Sequence, residues 1–241
     1  MMNFNLDDLV KFYASELGKT CVNIIQNKLN KIVIKQNNQK ILGFGYLLPY
    51  ILNNDLESKV NFLAIPSANN RIKWNKNNYN SSLELDERAL PFHDLHFDKI
   101  LISHWFEVSS RLDLVIEELR RILKGQGKLI LIIPNSFSLW AINENNPFGN
   151  CRPFSQHQIR RLLNSHGFEE IKIHYCLYHP PYHNKFILRN FQTIEYLGNK
   201  VFYKTGGVMI IEATKFNYAI PKTKLKAYRY NLSKVSIQQQ G

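Results

Sequence analysis

Apolar positions between residues 5 and 30 recur every three or four residues: Leu6, Leu9, Val10, Tyr13, Leu17, Val22, Ile25 and Leu29. That period lines one face of a helix, and the spacing predicts helix here, with Gly18 as the expected break between two. The pattern then changes. KILGFG (40–45) is a short apolar run ending in glycines, as expected of a buried strand entering a tight turn. Pro49 suits the first turn of a following helix, where its missing N–H costs nothing. VNFLAIP, SLEL and FDKILIS read as further strands, and an Asn-rich stretch at about 69–82 reads as loop. RLDLVIEELRRILKGQG carries Leu112, Val115, Ile116, Leu119, Ile122 and Leu123 on one helical face, with Gly125 expected as a left-handed cap. KLILIIP is apolar on both faces, as central parallel strands are. Ser155 and Gln158 fit a capping box for a helix ending at Gly167; EEIKIHYCLY is a strand, KFILRNFQTIEYLGNK is helical, and GGVMIIEATK is a final strand. Strands alternating with helices imply an α/β protein with an open, mostly parallel sheet.

Composition narrows the setting. The 241 residues, 44% hydrophobic and 21% charged, suffice for one sizeable domain. The organisation expected is an N-terminal helical segment (1–35), a main domain (36–220) and a basic tail (221–241). The first residues lack the apolar core of a secretory signal, and no apolar run reaches the length of a membrane span. Three scattered cysteines fit a reducing compartment, so a cytoplasmic, non-membrane protein is expected. The net charge is +12, of which Lys222, Lys224, Lys226, Arg229 and Lys234 in the tail supply five. A basic balance invites nucleic acid. Without an aromatic-interleaved basic motif, the Asn/Lys/Ile bias of the chain is the better account, and nucleic acid is not favoured.

Two segments hold candidate chemistry. HYCLYHPPYH places His174, Cys176, His179 and His183 within ten residues. Metal sites usually pair such a cluster with a distant second half, so strand and surface loop are the better reading and no metal is assigned. In PFGNCRPFS, Phe148 and Phe154 are candidates to stack on a planar substrate and Arg152 to pair with an anion; the competing reading is a structural turn capped by Ser155. Cys151 has no base partner nearby in sequence and is not read as a nucleophile.

The run from Leu90-Pro91-Phe92 through Phe97-Asp98 and the helix to Leu123-Lys124-Gly125-Gln126-Gly127, followed by Phe154-Ser155-Gln156-His157-Gln158 and Gly167-Phe168, resembles the class I S-adenosylmethionine-dependent methyltransferases over about residues 38–175. GYxxPY, PFGxxRPFS and GGVxxxEATK look like one bacterial branch of that superfamily. The resemblance implies a Rossmann-like, mostly parallel seven-stranded sheet with helices on both faces, KILGFG near its centre beside FDKILIS, and GGVMIIEAT antiparallel at one side. It also implies S-adenosyl-L-methionine as cofactor, held at the carboxyl ends of the first strands.

Carried over residue by residue, the cofactor-binding candidates are Gly43, Gly45, Tyr46, Ser67, Asp86, Glu87, Ala89 and Ser103. His104, Glu107, Phe148, Arg152 and Phe154 are candidates on the substrate side. Two positions depart from the family pattern. Where it has acid-x-Gly-x-Gly-x-Gly, this chain has Gly43, Gly45, Leu47 and Pro49; where it has a ribose-binding acid, this chain has Ala64-Ile65-Pro66-Ser67. A lost charged hydrogen bond of that kind costs about 1.5–3 kcal/mol. The expected function is methyl transfer to an unspecified acceptor; the alternative is a non-catalytic methyltransferase-like module that binds a protein or RNA.

Overall fold

The computed structural model describes residues 6–33, 38–52, 60–66, 75–76, 79–80, 82–85, 89–182 and 184–216. The Asn-rich stretch beyond its short strands, the acidic turn 86–88, His183 and the basic tail lie outside the described residues. Helices α1 (Leu6–Ala14) and α2 (Glu16–Ile32) open the chain. Strand β1 (Ile41–Gly45) and the short α3 (Leu48–Ile51) follow. Next come β2 (Phe62–Pro66), the small pair β3 (Asn75–Lys76) and β4 (Tyr79–Asn80), β5 (Ser82–Leu85) and β6 (Phe97–Ser103). Helix α4 (Leu112–Ile122), β7 (Leu123–Pro134), α5 (Leu139–Ile142) and α6 (Gln156–Ser165) precede β8 (Phe168–Cys176). The two helices α7 (Lys185–Arg189) and α8 (Phe191–Val201) lead to β9 (Val208–Lys215).

The main sheet has the strand order β5-β2-β1-β6-β7-β9-β8. β1 pairs in parallel with β2 and β6, and β6 in parallel with β7, while β9 runs antiparallel between β7 and β8. KILGFG therefore lies inside the sheet beside FDKILIS, and the last strand is antiparallel towards one side. Strand alternation divides the core. Leu42, Phe44, Ile100, Ile102, Leu129 and Leu131 face α4 and α6. Ile41, Leu101, Ile130 and Ile132 face α1, α2 and α3. Each such side chain, buried completely, stabilises the fold by about 1.5–3 kcal/mol. Leu9, Tyr13, Leu17, Cys21, Ile25 and Leu29 belong to the second cluster, so the N-terminal helices are part of the packed core.

Two local expectations are corrected. The break between the first helices falls at Ser15, whose hydroxyl accepts from the Gly18 amide at 3.1 Å and caps α2. Gly18 lies inside α2, where a Cβ would stand 2.0 Å from the Phe12 carbonyl oxygen, so the close approach of the two helices selects glycine. Gly125 does not cap α4: the chain passes at Leu123 straight into β7, and Gln126 takes the positive φ, 63°. KFILRNFQTIEYLGNK is helical as expected, in two pieces. The capping box of Ser155 and Gln158 and the left-handed Gly167 (φ 73°) are both present. Among the described residues, no helix is long and apolar enough to cross a membrane.

Candidate active site

Parallel strands bring their carboxyl ends to one edge, and here the turns after β1 and β6 meet. Gly45 takes φ 80°, a conformation glycine adopts without strain. A Cβ on it would stand 2.3 Å from the Ser103 carbonyl oxygen and 2.8 Å from Trp105 Cβ. The space above Gly45 is thus filled by the end of β6. The Tyr46 amide donates to the Ser103 carbonyl at 2.9 Å and the Leu47 amide to the Gly45 carbonyl at 3.1 Å. Leu47 is fully buried with φ −96°, so the turn takes a path that needs no left-handed conformation from it. Pro49 sits in the first turn of α3, as its fixed φ favours.

On the β6 side, His104 follows the strand with φ 52°, in the left-handed region that few non-glycine residues occupy. The ring joins a buried string of polar side chains. Its Nε2 is 2.5 Å from Tyr13 Oη, and Tyr13 Oη is 2.5 Å from Tyr50 Oη. Its Nδ1 lies 3.3 Å from Glu107 Oε1, without the alignment of a hydrogen bond. Burial raises the phenols of Tyr13 and Tyr50 well above their ordinary value, so both stay protonated and able to donate. The Glu107 side chain is 1% exposed, and neither of its oxygens has a hydrogen-bond partner.

This string borders a cavity of about 460 Å³ between α1, the turn 104–108 and the loop 144–151. Asp8, Lys11 and Phe12 of α1 form one wall, and Glu144 stands on the opposite loop. That loop is held by Asn146, whose Nδ2 donates to the Trp140 carbonyl at 3.1 Å and whose Oδ1 accepts the amides of Phe148 (2.9 Å) and Gly149 (3.1 Å).

The candidates predicted from sequence separate into groups. Gly43 is buried within β1, where its nearest neighbours are the side chains of Leu47 and Leu63. Tyr46 is buried, its ring 6.0 Å from that of Tyr13. Ser103 is buried at the end of β6 beside Tyr50. Ala89 is exposed, and Ser67, Asp86 and Glu87 lie outside the described residues. His104 and Glu107 come together at the cavity.

Phe148 and Phe154 do not present faces to a substrate. Phe148 is 1% exposed and packs against His104, Phe12 and Trp140, while Phe154 is 2% exposed in the other core cluster against Phe106. Both are apolar residues that the core absorbed. Arg152 is exposed, its guanidinium 5.3 Å from the Phe154 ring centroid. Burial raises the Cys151 thiol far above its ordinary range, with the Glu107 charge as the second cause, which disfavours a thiolate. In the histidine-rich segment, Cys176 packs in the core and His179 is buried with Nδ1 3.1 Å from the Pro180 carbonyl oxygen.

Sequence reasoning missed Tyr13, Tyr50, Asp8 and Glu144. Tyr13 was legible only as a member of an apolar helical face.

Residues 42–131 match a family model described as a methyltransferase domain. Among solved structures, a methyltransferase of Thermotoga maritima described as a possible histamine N-methyltransferase superimposes with TM-score 0.62 at 17% identity, covering 87% of this chain and 95% of that one. A methyltransferase in complex with the Haloferax volcanii Trm112 activator gives 0.59 at 13% identity, covering 87% and 98%. An S-adenosylmethionine-dependent methyltransferase of Archaeoglobus fulgidus gives 0.56 at 16%, covering 85% and 96%. No curated protein sequence matches the chain. Residues 42–131 thus match a methyltransferase domain, and the chain shares the fold of these methyltransferases. Two of these neighbours, those of Thermotoga maritima and Archaeoglobus fulgidus, are described as dependent on S-adenosylmethionine. The methyltransferase domain fits that cofactor in part: the strand ends form the expected edge, but the Tyr46 and Leu47 amides are already spent within the turn. The remaining contacts predicted for it fall on Ser67, Asp86 and Glu87.

Proposed function

We propose that this methyltransferase transfers the methyl group of S-adenosylmethionine to an acceptor seated in the cavity beneath α1. The observation that carries this reading is the position of that cavity: its floor is the turn that follows β6, adjacent to the end of β1. When bound, the cofactor supplies a methyl on a sulfonium: the acceptor's lone pair forms the new bond to carbon as the S–C bond breaks, its electrons staying on sulfur. Little is then required of side chains beyond alignment and exclusion of water. Buried Leu47, Tyr50 and Phe148 exclude water, while Tyr13 holds His104 in orientation. Ser67, Asp86, Glu87 and Ala89 are assigned to the cofactor's ribose and adenine on the strength of the resemblance, with Gly43, Gly45, Tyr46 and Ser103 shaping the turn beneath it.

Calorimetry with S-adenosylmethionine and S-adenosylhomocysteine tests the reading. Binding is expected, weakened by the absent ribose acid, and Asp86→Ala should weaken it by a further ~1–3 kcal/mol. A second reading, a non-catalytic module that binds a macromolecule, is favoured by the self-satisfied turn at Gly45. Absence of cofactor binding at millimolar ligand would establish it in place of the first.

A further inference from the structure

The cavity beneath α1 is acidic on a strongly basic protein. Asp8, Glu107 and Glu144 line it against Lys11 alone, whereas the chain as a whole carries +12. Asp8, Lys11 and Glu144 are exposed at its mouth, solvated and individually weak. Glu107 differs: it is buried, and neither carboxyl oxygen has a hydrogen-bond partner. A buried carboxylate is tolerated when a counter-charge or hydrogen-bond donors complete it. His104 Nδ1 is near at 3.3 Å but not aligned, and the opposite ring nitrogen is engaged by Tyr13. Leu9, Phe12 and Val108 add apolar wall, beside the uncharged polar Ser15, Asn145 and Asn150. A volume of about 460 Å³ is that of a small-molecule site.

We infer that this cavity binds a small primary amine as its ammonium, with Glu107 as the buried counter-charge and Phe12 beside the ligand's apolar body. This deepens the methyl-transfer reading and rests on it for the role of the amine as acceptor. An ammonium has no lone pair to offer. Glu107 is placed to take one proton: an N–H bond breaks, an O–H bond forms on the carboxylate, and the pair remains on nitrogen. The acids at the mouth favour entry of cations by their field.

The test is binding of phenethylamine to the full-length protein, compared with phenethyl alcohol, its neutral counterpart of similar shape, by calorimetry. The amine should bind at least about tenfold more tightly than the alcohol, and Glu107→Gln should remove that preference while leaving alcohol binding unchanged. Asp8→Asn, at the exposed mouth, should weaken the amine about twofold. Thermal unfolding checks that each variant is folded; should Glu107→Gln not fold, Asp8→Asn combined with Glu144→Gln decides through a reduced amine preference. Equal affinity for amine and alcohol, a preference that survives these changes, or no amine binding at roughly 10 mM would overturn the inference. Separate titration with S-adenosylhomocysteine distinguishes the two failures. Cofactor binding without amine binding removes only this inference, whereas amine binding without cofactor binding removes the methyl-transfer reading and leaves a cation site.

Discussion

The turns after β1 and β6 are neighbours on one sheet edge, yet they dispose of their polar groups in opposite ways. After β1, the Tyr46 and Leu47 amides are paired within the protein, and the space above Gly45 is taken by the Ser103 carbonyl. After β6, the backbone closes a turn, with the Trp105 carbonyl accepting the amides of Val108 and Ser109 at 3.1 Å. The side chain of Glu107 in that same turn is buried without a hydrogen-bond partner. A turn whose groups are all satisfied can be explained by folding alone. A buried carboxyl left unsatisfied costs stability and calls for a ligand. The two turns therefore differ in what they leave open: at Gly45 the neighbouring backbone fills the space a Cβ would take, while Glu107 borders the cavity.

The largest effect that would sharpen this contrast is expected at Gly45. Gly45→Val demands both positive φ and space held by backbone, and should cost about 3 kcal/mol or more by chemical denaturation. A loss below about 1 kcal/mol would show that the turn can open, returning it to the cofactor. On the other side the sign reverses. Glu107→Leu replaces a buried carboxyl that lacks hydrogen bonds by an apolar side chain of similar size, and should stabilise the ligand-free protein by about 1–3 kcal/mol while amine binding is lost. A destabilised variant would mean that Glu107 has a structural partner.

Gly43→Ala provides a graded comparison with Gly45. Its Cβ would meet Leu47 Cδ2 and Leu63 Cδ1 at 3.0 Å, both side-chain ends that can shift, so a cost of about 1–2 kcal/mol is expected in the same assay. The smallest effect lies at the opposite end of β6. Asp98 accepts from Lys124 Nζ at 2.9 Å and from the Lys40 amide at 2.9 Å. Burial pushes its carboxyl up, but these two donors outweigh burial and hold it below its ordinary value. A depressed folded value means stability present above about pH 3.9 and lost as pH falls through the lower folded value. Asp98→Asn should therefore cost about 1 kcal/mol at pH 7, and its difference from the wild type should shrink as the pH is lowered below the ordinary carboxylate range. A difference constant with pH would assign the cost to packing instead.

Much of the fold was legible because its signals are local. The 3.6-residue period of α4, the capping box at Ser155 and the two-faced apolar runs of β1, β6 and β7 each depend on neighbours a few positions away. The alternation of these elements implied the parallel sheet. Expectations failed where a distant atom decided: Gly18 faces the Phe12 carbonyl across a helix corner, and Gly125 gave way to a strand pairing that carries β7 back to Leu123. Phe148 and Phe154 had the right composition for stacking, but burial claimed both.

The site divides along the same line. The sequence by itself determined the order of strands and helices, the carboxyl edge at which a ligand would sit, and the placement of His104 and Glu107 just beyond a strand. Tertiary packing settled that Tyr13 meets His104 across 91 positions and Tyr50 across 37, that Asp8 and Glu144 face one cavity, and that Glu107 is buried without a hydrogen bond. Periodicity encodes which face of an element is buried. It does not encode which elements share that interior, because that choice is made by packing α1 across the strand ends, where desolvation turns an ordinary surface acid into a group that needs a partner.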